Sequence, residues 1–572
     1  MKVPILATFF TFGTSRVSAA PAPACSSSGD LLSQEWDAIV VGAGTAGIIV
    51  ADKLSEAGKK TLLLELGGPS YGITGGTEKP DWLNGTGLSR VDVPGLYKSI
   101  FSGDTNLTCK PSVVSAFQGC TIGGTSAINA GLYFQPPASD WDNYHPDGWK
   151  SADVQAAIGR LLDRQPAVTE YSANSQFYLQ SGYEAARKWI VDDAGFSPVS
   201  INGDPDNKDR VFGRPVYDYI NGQRGGPTRT YLQSALGRSN FHLQTNAHVS
   251  YVTRDSGIAT GVVARVNGQL RDIKIASNGR VVLSAGALLS PQILMYSGIG
   301  PEDILGNLSS TASFTQFNSS SQIVNPHVGE GLFDNPNTFI ELSGPTIDSY
   351  AHSYTDPVPA DRDLYLQSRS GPYSFASQTA VFFGYVPQSE SDGGGRIGVQ
   401  GTIDSSGFGE HTGNNTITLN IYGTSGLRSS GRVVLTPDDD GKFIAGPSSG
   451  VYYADPRDGR SIAAFIYDIF QALPESADGS SGLTPLNLAR NSTVDEIYAY
   501  ITTPSEYAVG SVQHWSSSCR IGACVDADTR VLGTRNIHVV DASILSPLSV
   551  NPQFGVMVAA EKGAERILAT WN

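Results

Sequence analysis

The chain has 572 residues, a formal net charge of −15 at pH 7 and five cysteines. That length exceeds one compact core, so two or more domains are expected. The acidic balance argues against nucleic acid and against anionic membrane surfaces as partners.

Residues 1–20 read as a secretory signal peptide. Lys2 supplies the positive end, Val3 to Phe12 the apolar region and Val17-Ser18-Ala19 the small-residue site, with cleavage after Ala19 or Ala20. No later apolar run approaches the ~20 residues a membrane helix needs. The mature protein is therefore expected to be secreted and soluble. Six Asn-x-Ser/Thr sequons agree, at Asn84, Asn106, Asn307, Asn318, Asn414 and Asn491. In an oxidising compartment Cys109–Cys120 and Cys519–Cys524 are local pairs open to oxidation, with Cys25 left over. The sequence leaves that pairing open.

The next stretch organises the chain. Ala38 to Val41 is an apolar strand that ends in Gly42-Ala43-Gly44-Thr45-Ala46-Gly47 and leads into a helical pattern from Ile48 to Gly58. A second strand, Thr61 to Leu64, ends at Glu65, 23 positions after Gly42. Gly42 allows a tight turn, Gly44 lets backbone approach a pyrophosphate, and Gly47 lets the helix pack closely on the strand. The helix N-terminus then offers free N–H groups and a positive dipole end to phosphates. Glu65 is placed to accept from ribose hydroxyls.

Gly67 to Asp104 is rich in Gly, Pro, Ser and Thr and reads as an ordered surface excursion. Gly119 to Asn129 is dominated by small residues, so backbone can lie close to a flat ligand, and Asn129 is its one polar amide. Residues 150 to 190 alternate helical patterns with polar breaks, and Tyr231 to Leu236 reads as helix. Phe241–Thr245, Val249–Asp255, Ala259–Val266 and Asp272–Ile275 read as short strands, and Gly279 to Gly286 as a further apolar strand entering a helix closed by glycine. From Gln322 to Tyr507 short alternating runs such as Ile417 to Tyr422 favour an antiparallel sheet with helices, among them Ser461 to Leu473. Ile537 to Asp541 is a strand and Pro552 to Thr570 a helix.

Four motifs in register over roughly residues 35 to 570 resemble the glucose-methanol-choline (GMC) oxidoreductases. They are Gly42/Gly44/Gly47 with Glu65; Gly123-Gly124-Thr125-Ser126 with Asn129; Gly286 through Ser290-Pro291 to Ser297-Gly298-Ile299-Gly300; and His514 with Cys519-Arg520-Ile521-Gly522. Within the family, five shorter stretches are most similar to the flavodehydrogenase domain of fungal cellobiose dehydrogenases: Gly67-Gly68-Pro69-Ser70, Asp92 to Leu96, Cys109-Lys110, Asn221 to Arg224 and Asn551-Pro552-Gln553. Two stretches depart from those enzymes. Ser429-Ser430-Gly431-Arg432 stands where they have Ser-Arg-Gly-Arg, and Gln513 stands where they have Asn.

The resemblance implies FAD, an α/β Rossmann-type FAD-binding domain and a second, α+β, sheet-based substrate domain. The boundaries expected are 35–70, 110–150, 240–320 and 510–572 for the first. Residues 71–109, 151–239 and 321–509 would form the second, with the segments that cover the cofactor. It further implies oxidation of a sugar or other alcohol hydroxyl by hydride transfer to flavin N5. His514 resembles the family's catalytic histidine and Asn551 its partner. Gly42, Gly44, Thr45, Ala46, Gly47, Glu65, Gly124, Thr125, Asn129, Asp541, Ala542, Asn551 and Pro552 fall at cofactor-contacting positions. No metal is implied.

The residues at those positions are of types that can carry that chemistry. FAD carries the redox step, and a base must take the hydroxyl proton, a task suited to neutral histidine. Asn551 suits an orienting hydrogen bond, and equally a helix N-cap before Pro552. Cys519 reads as a disulfide or packing residue rather than a nucleophile. A small alcohol or sugar is the expected substrate, with quinone, oxygen or a redox protein as acceptor. Two alternatives stay open: an oxidase of aryl, aliphatic or secondary-metabolite alcohols, and a non-redox, hydroxynitrile-lyase-like member.

Overall fold

A computed structural model describes residues 31–101, 106–109, 116–311, 314, 316, 317, 319–437, 443–474 and 482–571. The segment 1–20, Cys25, Lys110 and the sequon at Asn318 lie outside the described residues. The asparagines of the other five sequons are exposed. Both local disulfides, Cys109–Cys120 and Cys519–Cys524, are formed. Among the described residues no helix is long and apolar enough to cross a membrane.

Strand β1 (Trp36–Val41) is buried and rich in β-branched residues, as a strand covered on both faces requires. The glycine turn, helix α1 (Thr45–Glu56) and β2 (Thr61–Leu64) complete a βαβ unit, with β1 and β2 parallel and Ile39 opposite Leu62. Strand β3 (Phe241–Gln244) extends the sheet beyond β2. Strands β4 (Ala247–Asp255), β5 (Ile258–Val266) and β6 (Gln269–Leu283) run as an antiparallel meander. The order is β3-β2-β1-β6-β5-β4, and Ile537–Val539 also pairs with β6.

The two strands expected at 272–275 and 279–286 are one strand, β6. Its first half pairs antiparallel with β5 and its second half parallel with β1. The polar residues between them form no turn, because the β1–β6 register shifts there: Trp36 faces Ile275 while Ala38 faces Arg280. Helix α2 (Gly286–Tyr296) leaves the end of β6, and α3 (Gln553–Ala569) packs on α1.

The second sheet is antiparallel at its centre. Strands β7 (Pro336–Ser343), β8 (Gln378–Pro387), β9 (Arg396–Asp404) and β10 (Thr416–Gly423) lie in the order β7-β10-β9-β8. One face is apolar: Ile340, Leu342, Phe382, Ile403, Leu419 and Ile421 pack with Ile462, Phe465, Ile466 and Ile469 of the helix Pro456–Gln471. The opposite face carries Asn337, Gln400, Thr402, Asn420 and Tyr422. An alternating strand normally turns its polar face to water. Here that face is covered by the first unit, and a cavity lies between them.

Candidate active site

Glycine is required where the turn after β1 meets its neighbours. Gly42 has φ +102°, and a Cβ there would lie 2.5 Å from the Ser284 carbonyl oxygen. A Cβ on Gly47 would lie 1.9 Å from the Gly42 oxygen, so α1 can start against its own turn only with glycine. Gly44 meets nothing closer than Gly124 Cα at 3.8 Å, and a Cβ on Gly124 would lie 2.6 Å from Gly44 Cα. The two bare backbones thus touch at the edge of the cavity, with no side chain between them. Helix α1 has no side-chain cap and no acidic residue in its first turn, so its N-terminal donors stay available to an anion.

Glu65 is more committed than a ribose contact requires. Its Oε2 accepts from Ala43 N–H at 2.7 Å and its Oε1 from Gly67 N–H at 2.9 Å. The carboxylate therefore ties the glycine turn to the end of β2. Burial pushes it up to about 7, against the pull of those two donors. Asn129 is equally engaged: it donates to Gln553 and accepts from Gly131 N–H at 3.0 Å and Arg224 at 3.0 Å. Arg224 is fully buried and also donates to the Val91 carbonyl, fastening the excursion to the small-residue turn. Asp541 accepts from Gly286 N–H and the Ser290 hydroxyl, and from Ser543, so it holds the start of α2.

At the other end of the cavity His514 Nδ1 sits 2.9 Å from Asn335 Oδ1. The Asn335 amide is oriented, because its Nδ2 donates to the Gly423 carbonyl at 2.7 Å. Its oxygen therefore faces the ring, and the proton resides on Nδ1. The Nε2 lone pair is left toward Asn551 Nδ2 at 3.4 Å. Burial holds His514 down at about 3, so the ring is neutral. Its backbone N–H donates to Asp334 at 2.7 Å, which fixes the turn that carries it.

Asn551 is not the helix cap that its place before Pro552 suggests. Pro552 itself occupies the cap position of α3 and makes no side-chain cap bond. Asn551 Oδ1 instead accepts from Gln400 at 2.7 Å and from the Tyr422 hydroxyl at 3.1 Å. Two donors on the sheet outcompete a local cap and turn the amide N–H groups toward His514 and the cavity.

Every predicted site residue except Gly47 lines this one cavity of about 570 Å³. Gly47 serves packing, as its spacing implied. Among the described lining residues there is no lysine or arginine, and the only carboxylates are Glu65 and Asp541, both held by backbone donors. Phosphates would meet N–H groups and the α1 dipole rather than side-chain cations. The side-chain-free backbone at Gly44 and Gly124, the uncapped helix and the carboxylate at the end of β2 fit FAD. Sequence reasoning missed Tyr97, Phe101, Phe117, Asn337, Phe339, Gln378, Thr402, Asn420 and Tyr422, which also line the cavity, and Asn335 and Gln400 behind His514 and Asn551. The strand alternation could have exposed those on β10 and β9. Nothing in the sequence said that their face is covered.

Comparison with known proteins gives the same picture. Family profiles described as GMC oxidoreductase match residues 37–337 and 428–560. The oxygen-dependent choline dehydrogenase of Vibrio vulnificus (strain YJ016) is 26% identical, over 94% of this chain and 95% of its own length. A homologue of the same description from Pseudomonas putida F1 is also 26% identical, over 94% of each. Among solved structures, formate oxidase of Aspergillus oryzae RIB40 aligns with a TM-score of 0.73 at 17% identity, covering 94% of this chain and 98% of that one. A fungal aryl-alcohol oxidase aligns at 0.66 and 17% identity, covering 94% and 99%. With a profile matched across more than half its length, the glycine turn in place after β1 and the second sheet closing the cavity, the chain belongs to the GMC oxidoreductase family.

Proposed function

We propose that this protein is a secreted FAD-dependent oxidoreductase that oxidises an alcohol hydroxyl, with His514 as base and Asn551 as the group that orients the hydroxyl. The carrying observation is the fixed tautomer of His514, whose Nε2 lone pair and the Asn551 N–H groups converge on one point of the cavity. A hydroxyl placed there donates to Nε2 and accepts from Asn551, and the proton moves to Nε2 as the carbon is oxidised. FAD, when bound, supplies the two-electron acceptor. The neutral ring stays ready to accept that proton well below pH 6.5, and the imidazolium it becomes keeps its Nδ1–H on Asn335.

Substrate candidates are the hydroxyls of sugars and of simple or aryl alcohols. The narrower likeness to cellobiose dehydrogenases rests on the short sequence stretches quoted above. The aromatic residues Tyr97, Phe101, Phe117 and Phe339 in the lining favour the aryl reading as the second one. Choline, which the bacterial relatives are named for, is the weakest fit, because no described carboxylate lines the His514 end of the cavity. Secretion rests on the order of charge, apolar run and small residues in 1–20. Oxygen is the first acceptor to try, because those relatives are named as oxygen-dependent.

The test is anaerobic bleaching of the bound flavin by a panel of alcohols, in wild type and His514→Ala. The variant should keep FAD and lose bleaching by a factor of about 10² or more. Bleaching at the wild-type rate would remove His514 from the role. No bleaching of the wild type by any alcohol would favour the non-redox alternative.

A further inference from the structure

Two opposite charges are buried behind the cavity wall, joined through two amides rather than to each other. Asp218 and Arg224 are fully buried and neither lines the cavity. The carboxylate accepts from Gln553 Nε2, and the guanidinium donates to Val91, Ser126 and Asn129. Between them, Asn129 donates to Gln553. Asn129 and Gln553 do line the cavity, and Gln553 opens α3 directly after Asn551-Pro552. Asp218 Oδ1 and Arg224 Nη2 are left without a hydrogen-bond partner.

The charges fix the direction of this relay. Arg224 can only donate, so Asn129 Oδ1 must face it, at 3.0 Å. The Asn129 nitrogen then faces Gln553 Oε1, and the Gln553 nitrogen faces Asp218. Read from the other end the order is the same, since an ionised carboxylate only accepts. The three hydrogen bonds therefore polarise one another in one sense. The backbone holds the carboxylate in place: Asp218 N–H donates to the Gly131 carbonyl at 3.0 Å, and its own carbonyl accepts from Gln165 at 2.9 Å.

A buried carboxylate without a cation bonded to it costs stability that an apolar side chain would not. Burial pushes Asp218 up to about 6, against the pull of Arg224, so it is charged above neutral pH. The alcohol-to-flavin step gives that charge something to act on. The flavin ring gains a hydride, two electrons and one proton, from the alcohol carbon, while the hydroxyl proton goes to His514. The reduced ring thus carries one more negative charge than the oxidised ring, and a fixed carboxylate nearby disfavours it.

We propose that Asp218 tunes the cofactor: its negative charge, one amide behind the cavity wall, holds down the reduction potential of the FAD bound there. It is a positioning residue, because it reaches the cavity only through Gln553. The inference rests on FAD in this cavity and is independent of which alcohol is oxidised. A lowered potential makes the reduced flavin a stronger donor to the electron acceptor, and makes the oxidation of the alcohol less favourable by the same factor.

The test is the two-electron potential of the bound flavin, measured against a reference dye with a chemical reductant under anaerobic conditions. It uses wild type, Asp218→Asn and Asp218→Ser, with FAD occupancy measured beforehand, and needs no substrate. Both replacements remove the charge, and Arg224 still fixes both amides. At pH 8 each should raise the equilibrium constant for flavin reduction about tenfold, about 30 mV for a two-electron couple. Disturbed packing would not give two side chains of different shape the same shift. The gap from wild type should close toward pH 5, where Asp218 takes up its proton. The charged and titratable groups that face it are Arg224 and the phenols of Tyr71, Tyr133 and Tyr219. None of them changes state over that range, because the guanidinium stays protonated and burial pushes all three phenols further up. Unchanged or lowered potentials in both variants overturn the proposal, and so does a gap that stays constant with pH.

Discussion

Asn335 does not itself line the cavity, yet the geometry makes the base depend on it. In Asn335→Leu the Nδ1–H of His514 loses its acceptor at 2.9 Å inside a buried site. An unmatched buried N–H costs about 1–3 kcal/mol. The proton escapes that cost by moving to Nε2, which removes the lone pair a substrate needs and sets Nε2–H against the Asn551 N–H. At about 1.4 kcal/mol per tenfold, flavin reduction should slow about 5- to 150-fold. The Gly423 carbonyl also loses its donor, about 1 kcal/mol of stability, which a chain of this size survives. Asn335→Asp supplies the companion signature. A carboxylate beside the ring favours imidazolium, so the His514 pKa rises from about 3 and the rate should fall toward acid pH where wild type stays level. The assay is anaerobic stopped-flow reduction of the bound flavin across pH 5 to 8, with FAD occupancy measured beforehand. Wild-type rates in Asn335→Leu, or a level profile in Asn335→Asp, would refute the tautomer argument.

Two further outcomes follow from buried charge. Glu65→Ala frees the N–H groups of Ala43 and Gly67 and unties the glycine turn, so FAD should be lost on gel filtration; full occupancy would count against the role given to Glu65. Thermal stability should hold nearly level between about pH 6.5 and 4.5 and drop below that. Burial lowers the pKa of His145 and His352 to about 4 and of His514 and His538 to about 3, so in this range the unfolded chain binds more protons at histidine and acid destabilises. Burial raises Glu65 and Glu341 to about 7 and Asp140 and Asp218 to about 6, so there the folded chain binds more protons and acid stabilises. Below the ordinary carboxylate range the second contribution stops growing and the first continues. A melting temperature that falls steadily from pH 6.5 would show that the two sets do not offset.

What the sequence made legible was local. The turn from Gly42 to Gly47, the carboxylate at Glu65 and the helix after Gly286 are set by neighbours within a few residues, and the structure places them as spacing implied. His514 and Asn551 were legible through the family motif, but their partners were not. Asn335 reaches His514 across 179 positions and Gln400 reaches Asn551 across 151, and no periodicity encodes such pairings. The alternation in Ile417 to Tyr422 identified a strand correctly but could not reveal which of its faces water touches. The same limit hid the fusion of 272–275 with 279–283, since a polar interval reads as a turn unless the register of the neighbouring strand is known. The Asn551 cap reading failed because a local bond was weighed without its distant competitors.

The β6 strand has one further consequence. Its parallel neighbours are residues 36–41 and 537–539, and the helix behind the glycine turn rests on residues 553–569. The first and last parts of the polypeptide are therefore laced together around the nucleotide cleft. During synthesis the opening βαβ unit emerges hundreds of residues before the strand and helix that back it. Contacts of such sequence separation form late, after long loops have closed. A chain trimmed of residues 537–569 would carry the whole glycine signature without the strand and helix that back the nucleotide cleft.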